Sequence, residues 1–126
     1  MGSNRQIPAE EMAVYRRTAR TRWEAEKKNR EERRQLAWRL ARRAATLLRQ
    51  EYGVERVFVF GSLTHPERFT LWSDVDLAAW GLTSANWLQA MGAVRDLSQE
   101  IELNLVDVAA CSPELLSVIE REGATL

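Results

Sequence analysis

Two aspartates, Asp74 and Asp76, stand one residue apart in the run Ser73-Asp74-Val75-Asp76-Leu77. On an extended strand, positions i and i+2 share a face, so both carboxylates would point the same way. Like charges held that close repel unless a cation lies between them. A pair of hard oxygen ligands on a rigid strand suits Mg2+ that also holds substrate phosphates. A solvated strand face is the plainer alternative, but Asp is a poor strand former and the flanking residues are apolar. A second feature is Gly61-Ser62, directly after the apolar run Val57-Phe58-Val59-Phe60. Glycine permits close backbone approach, and N–H groups leaving a strand can cradle an anion. A third is Asp107 in the largely apolar stretch 103–108, where a carboxylate is costly unless paired or metal-bound. Together these features could place three carboxylates around one or two metal ions.

The elements that must position these groups follow from patterning. From Ala9 to about Gln50 there is neither Gly nor Pro, and Ala, Arg, Glu, Lys, Gln and Leu dominate. That composition predicts one long helix or two consecutive ones. Met12, Tyr15, Ala19 and Trp23 form one stripe of it, and Leu36, Leu40, Ala44, Leu47 and Leu48 another. Residues 1–8 show no periodicity. Gly53 ends the helix. Residues 56–60 read as a buried central strand, 63–72 as a loop, and 74–80 as a second strand with Asp74 and Asp76 in phase. Ser84 is the expected N-cap of a helix over about 85–100, residues 102–109 are a third strand, and Ser112-Pro113 opens a last helix to 122. The fold class is a small α/β (α+β) domain: a mixed β-sheet with flanking helices, preceded by a long N-terminal helix. The expected division is a helical extension, 1–35, and a domain, 36–126.

Bulk properties narrow the setting. The chain of 126 residues carries 18 Lys/Arg and 18 Asp/Glu, but unevenly. Residues 1–50 hold 14 basic against 6 acidic residues, a balance of +8, and residues 51–126 hold 4 against 12, a balance of −8. Mutual attraction between the two parts, within or between chains, accounts for this split. The acidic residues interspersed in the basic segment make nucleic acid the weaker alternative. No apolar run reaches the roughly 20 residues of a membrane span, and no secretory h-region is visible. With Cys111 as the single cysteine, the expected setting is the cytoplasm.

Gly-Ser after a strand, a variable loop, Asp-hydrophobic-Asp on the next strand and a carboxylate on a third resembles the signature of the DNA polymerase β nucleotidyltransferase superfamily. Over about 36–126 the chain is similar to its minimal nucleotidyltransferase (MNT) domains. The close is similar too, with Ser112-Pro113-Glu114-Leu115-Leu116 and Ile119-Glu120-Arg121-Glu122-Gly123. Many minimal members follow Gly-Ser with a small residue, an Arg and a Gly. This chain has Leu63-Thr64-His65-Pro66 instead, with Arg68 the nearest cation.

The resemblance implies transfer of a nucleoside monophosphate, AMP from ATP, to an acceptor hydroxyl with release of pyrophosphate. It implies two Mg2+ ions held by Asp74, Asp76 and Asp107, with Asp107 at the acceptor hydroxyl and Glu102 as the rival third carboxylate. Gly61, Ser62, Ser73 and Arg68 would bind the nucleotide. Minimal members often act as antitoxins that adenylylate a tyrosine of a HEPN-type RNase toxin, so the implied partner is a HEPN-like protein and the acceptor a protein hydroxyl. A non-catalytic module that neutralises or scaffolds a partner is the competing class. The apolar stripe on the N-terminal helix and the opposed charges predict a homodimer through that helix.

Overall fold

The computed structural model describes residues 8–126; the first seven, whose sequence lacks periodicity, lie outside the described residues. A single helix, α1 (Ala9–Tyr52), runs 44 residues without a break. It begins after Pro8 with Glu10 and Glu11 in the first turn, where carboxylates favour the helix dipole, and stops at Gly53, whose φ of 64° is left-handed and whose N–H bonds back to the Leu48 carbonyl. Its two halves differ. From Ala9 to Glu32 every side chain except Met12 is exposed, whereas Ala37, Leu40, Ala41, Ala44, Ala45 and Leu48 are buried.

The sheet has the order β3-β2-β1-β4, with β1 (Arg56–Phe60), β2 (Val75–Trp80), β3 (Leu103–Asp107) and β4 (Ala124–Thr125). β1 pairs antiparallel with β2 and β4, and β2 pairs parallel with β3. The parallel pair is joined by the crossover helix α2 (Trp87–Arg95), and α3 (Pro113–Glu122) precedes the edge strand β4. One face carries Val57, Val59, Val75, Leu77, Leu103 and Leu105 and packs on the second half of α1 and on α2. The other carries Phe58, Ala78 and Val106 and packs on Ile119, Leu115 and Leu116 of α3. Burying one such side chain contributes about 1.5–3 kcal/mol, so both faces are held by substantial apolar contact. Among the described residues no helix is long and apolar enough to cross a membrane.

Several boundaries differ from the sequence expectation for local reasons. α2 starts at Trp87 because Thr83 and Asn86 cap each other, Thr83 N–H to Asn86 Oδ1 at 2.8 Å and Asn86 N–H to Thr83 Oγ1 at 3.2 Å; Ser84 is not the cap. The helix ends at Arg95, and Ser98 Oγ then accepts from the N–H groups of Glu100 and Ile101. β3 ends at Asp107 because that side chain accepts from Ala109 N–H at 3.1 Å and turns Val108–Ala110 into a 3-10 turn. Ser112 does cap α3, accepting from Leu115 N–H at 3.2 Å. The two-residue β4 has no sequence signal of its own length; it is fixed by pairing with Phe58 and Val59.

Candidate active site

The candidate site lies where β1 ends and β2 and β3 begin. Antiparallel pairing sets Asp76 opposite Phe60, and parallel pairing sets it beside Asn104. Asp74 stands just before β2, which begins at Val75 rather than at Asp74, and lies near enough to Asp76 to act on its charge. α3 covers the Asp76 face from Phe58, Ala78 and Val106 onward, which leaves the Asp74–Asp76 end accessible. Both aspartates are half-buried.

Gly61 explains how closely the chain wraps this pair. Its φ is 75°, and a Cβ there would stand 2.7 Å from Asp76 Oδ2. Only glycine brings the backbone so near the carboxylate. Gly61-Ser62 then enters a 3-10 turn, Gly61–Thr64, and a second, Pro66–Arg68. Ser62 is half-buried beside Gly61, and its carbonyl accepts from His65 N–H at 3.1 Å. Ser73 Oγ is tied into the turn ahead of Asp74, accepting from Thr70 N–H at 2.9 Å. Arg68 is exposed at the end of its turn. The one histidine, His65, sits between Glu67 and Glu122, with ring nitrogens 3.7 and 3.8 Å from their carboxylates.

The structure brings Asp74, Asp76, Gly61 and Ser62 together but separates Asp107 from them. β3 runs parallel to β2, so it is the start of β3 that meets the pair, and Asp107 stands at its end, level with Ala79. Three strand positions amount to about 10 Å. The parity also differs: Asp107 is in phase with Leu103 and Leu105, on the α1–α2 side of the sheet, where it lines a shallow cleft with Trp87 and Met91 of α2. Asp107 therefore does not complete a triad with Asp74 and Asp76. Among the described residues no three His, Cys, Asp or Glu side chains converge to hold a metal ion.

What stands beside Asp76 instead is an amide. Asn104 Nδ2 donates to Asp76 Oδ1 at 3.4 Å, and Asn104 Oδ1 accepts from the Arg95 guanidinium at 3.1 Å. Arg95 also pairs with Glu102 Oε1 at 3.2 Å. Glu102, in phase with Asn104, lies on the Asp74 side, where its backbone carbonyl accepts from Val75 N–H at 2.9 Å. Burial raises the Asp76 carboxyl above its ordinary range, Asp74 and Glu102 push the same way, and the Asn104 hydrogen bond opposes them. Behind the site, Arg33 of α1 donates to the Ser73 carbonyl at 3.0 Å and the Glu100 carbonyl at 3.1 Å. One guanidinium thus anchors the segments that lead into both β2 and β3. Sequence patterning did not single out Asn104, Arg95 or Arg33; for Asn104 a signal existed, in its alternation with the apolar Leu103 and Leu105.

Solved structures share this architecture. The same fold occurs in a toxin–antitoxin complex with AMP-PNP, 20% identical over 64% of this chain and 67% of that one, with a TM-score of 0.54. It occurs in an MntA–HpeT toxin–antitoxin complex bearing two aspartate-to-glutamate substitutions, 18% identical over 68% and 70%, with a TM-score of 0.55. A third is the complex of a tri-AMPylated HEPN toxin from Shewanella oneidensis with its MNT antitoxin, 19% identical over 73% and 70%, with a TM-score of 0.53. No family model matches the sequence, and no curated protein matches it. The chain has the fold of the minimal nucleotidyltransferase antitoxins.

Proposed function

We propose that this chain binds a nucleoside triphosphate, ATP foremost, together with a divalent cation at the Asp74–Asp76 end of the sheet, and uses that site against a protein partner in the cytoplasm. The observation that carries the reading is Asp76 pressed against Gly61, with the Asp74 carboxylate near enough to act on it. Two carboxylates beside a backbone that leaves room for no Cβ suit a small hard cation carrying phosphates. Asp74 and Asp76 would hold Mg2+, which when bound offsets the triphosphate charge. The backbone at Gly61 and the Ser62 hydroxyl would meet phosphate oxygens, the ordinary use of N–H groups leaving a strand. Ser73 shapes the entry to Asp74, and Arg68, exposed at the end of its turn, would supply a cation for the phosphates.

The reaction that the fold supports is transfer of AMP to a hydroxyl. The acceptor oxygen bonds to the α-phosphorus, the bond to the bridging oxygen breaks, pyrophosphate leaves, and the acceptor proton passes to solvent. A HEPN-type toxin tyrosine is the acceptor this reading selects, with the chain as antitoxin; the AMPylated toxin in one structural neighbour supports it. Incubation with labelled ATP and Mg2+ beside the protein encoded next to it tests the reaction: label on that partner supports transfer. A second reading, a non-catalytic module that binds nucleotide and neutralises its partner by contact, is favoured by Asn104 standing where β3 meets Asp76. Nucleotide-dependent binding of the partner with no label transferred would select it.

The first half of α1 extends this reading to assembly. Tyr15 is 70% and Trp23 60% exposed on a stretch of helix where, among the described residues, only Met12 is partly covered. A second copy is the occupant whose −8 portion complements the +8 segment, so the chain forms a homodimer through α1.

A further inference from the structure

We infer that Asn104 and Arg95 make this a site for one divalent cation, where a nucleotidyltransferase of this fold would be expected to hold two. The inference rests on the nucleotide-binding reading above and concerns the corner beside Asp76 on β3. That corner is the position from which a neighbouring strand can address Asp76, because Asp76 and Asn104 are register partners and share a face. Asn104 has no charge with which to hold a cation. Both its polar atoms are already engaged, Nδ2 toward Asp76 and Oδ1 toward Arg95. Reversing the amide would set Nδ2 against a guanidinium that only donates, so the network fixes the orientation. One amide hydrogen therefore points at Asp76 Oδ1, on the side from which a second ion would have to approach.

Arg95 closes the corner from the other side. It contributes a fixed positive charge between Asn104 and Glu102. Glu102, the residue just before β3, is in phase with Asn104, and its charge is met by Arg95. A second divalent cation would have to displace a guanidinium and approach an amide hydrogen-bond donor. The carboxylates at Asp74 and Asp76 remain open to the first ion. The corner thus holds a guanidinium already paired with Glu102, with none of a second ion's ability to activate a hydroxyl.

Manganese counting tests this on the intact chain. Mn2+ bound with and without saturating AMP-PNP would be measured by electron paramagnetic resonance for wild type, Asn104→Asp, and Asn104→Asp with Arg95→Ala. Melting curves would check that each is folded. One nucleotide-dependent Mn2+ in wild type, rising to two in a folded Asn104→Asp protein or in the double variant, is the expected result. Two ions in wild type would overturn the inference alone; if Glu102→Gln then returned the count to one, Glu102 would be the missing ligand. One ion in all three folded proteins would overturn Asn104 and Arg95 as the determinants. No nucleotide-dependent Mn2+ in any of them would overturn both the inference and the reading beneath it.

Discussion

Asp76 Oδ2 lies 2.7 Å from the point where a Cβ on residue 61 would stand. A side chain at that position would collide with the carboxylate and be forced into a left-handed backbone conformation, and a retreating carboxylate would strain its hydrogen bond from Asn104. Gly61→Ala should therefore cost about 1–3 kcal/mol of stability and weaken nucleotide binding at the same time. Denaturant unfolding and calorimetric titration measure the two effects. A folded variant with unchanged affinity would show that the close approach is not part of the site.

The pH dependence of stability follows from Asp76. Burial, with help from Asp74 and Glu102, raises its carboxyl above the ordinary value. A group raised in the folded state contributes stability below its unfolded pKa and loses it as pH rises through the folded one. Ionised Asp76 is thus a net cost in metal-free protein near neutrality. Asp76→Asn should melt higher than wild type in chelator, and the gain should grow as pH climbs from about 4, the ordinary range of Asp, to neutrality. A difference that stayed constant across that range would assign the effect to packing rather than charge.

Asp107 makes a contrasting case. It caps the 3-10 turn after β3 through Ala109 N–H and faces away from Asp76. Asp107→Asn should leave metal–nucleotide affinity unchanged. Asp107→Ala should cost about 0.5–2 kcal/mol, the usual worth of a cap. A large loss of metal-dependent affinity in Asp107→Asn would mean that the parallel register places this carboxylate wrongly.

The contrast shows where the sequence was legible. Asp74 and Asp76 alternate with Val75 and Leu77, and that period alone predicts the pair on one face. The same test applied to β3 sorts Glu102, Asn104 and Val106 from Leu103, Leu105 and Asp107. Asp107 is in phase with the core residues, so the alternation already set it on the opposite side from a polar face. What sequence could not supply was direction: only the pairing of β2 with β3 shows that the start of β3, not its end, meets Asp76. Arg33 was illegible for another reason. Its two hydrogen bonds reach across 40 and 67 positions, and nothing in a charged helical stretch marks one arginine among many as an anchor. The long helix, the central strand and the last helix with its Ser112 cap were legible because each rests on local propensity and capping.

The exposed half of α1 makes a prediction about assembly. Removing residues 1–32 spares Arg33 and the buried stripe that starts at Ala37, so the remaining domain should fold. Full-length protein should have the mass of a dimer by light scattering at tens of micromolar, and the truncated protein that of a monomer. Monomeric full-length protein, or a truncated protein still fully dimeric, would remove α1 from the interface.

The central claim is that Asp74 and Asp76 hold a cation that brings in a nucleoside triphosphate. Calorimetric titration of ATP into the protein, with Mg2+ and with chelator, tests it most directly beside the double variant Asp74→Asn, Asp76→Asn. Wild type should bind at least tenfold tighter with Mg2+ than without, a difference of about 1.4 kcal/mol or more. The folded double variant should bind equally weakly in both buffers. A variant that keeps the full Mg2+-dependent affinity would contradict the account.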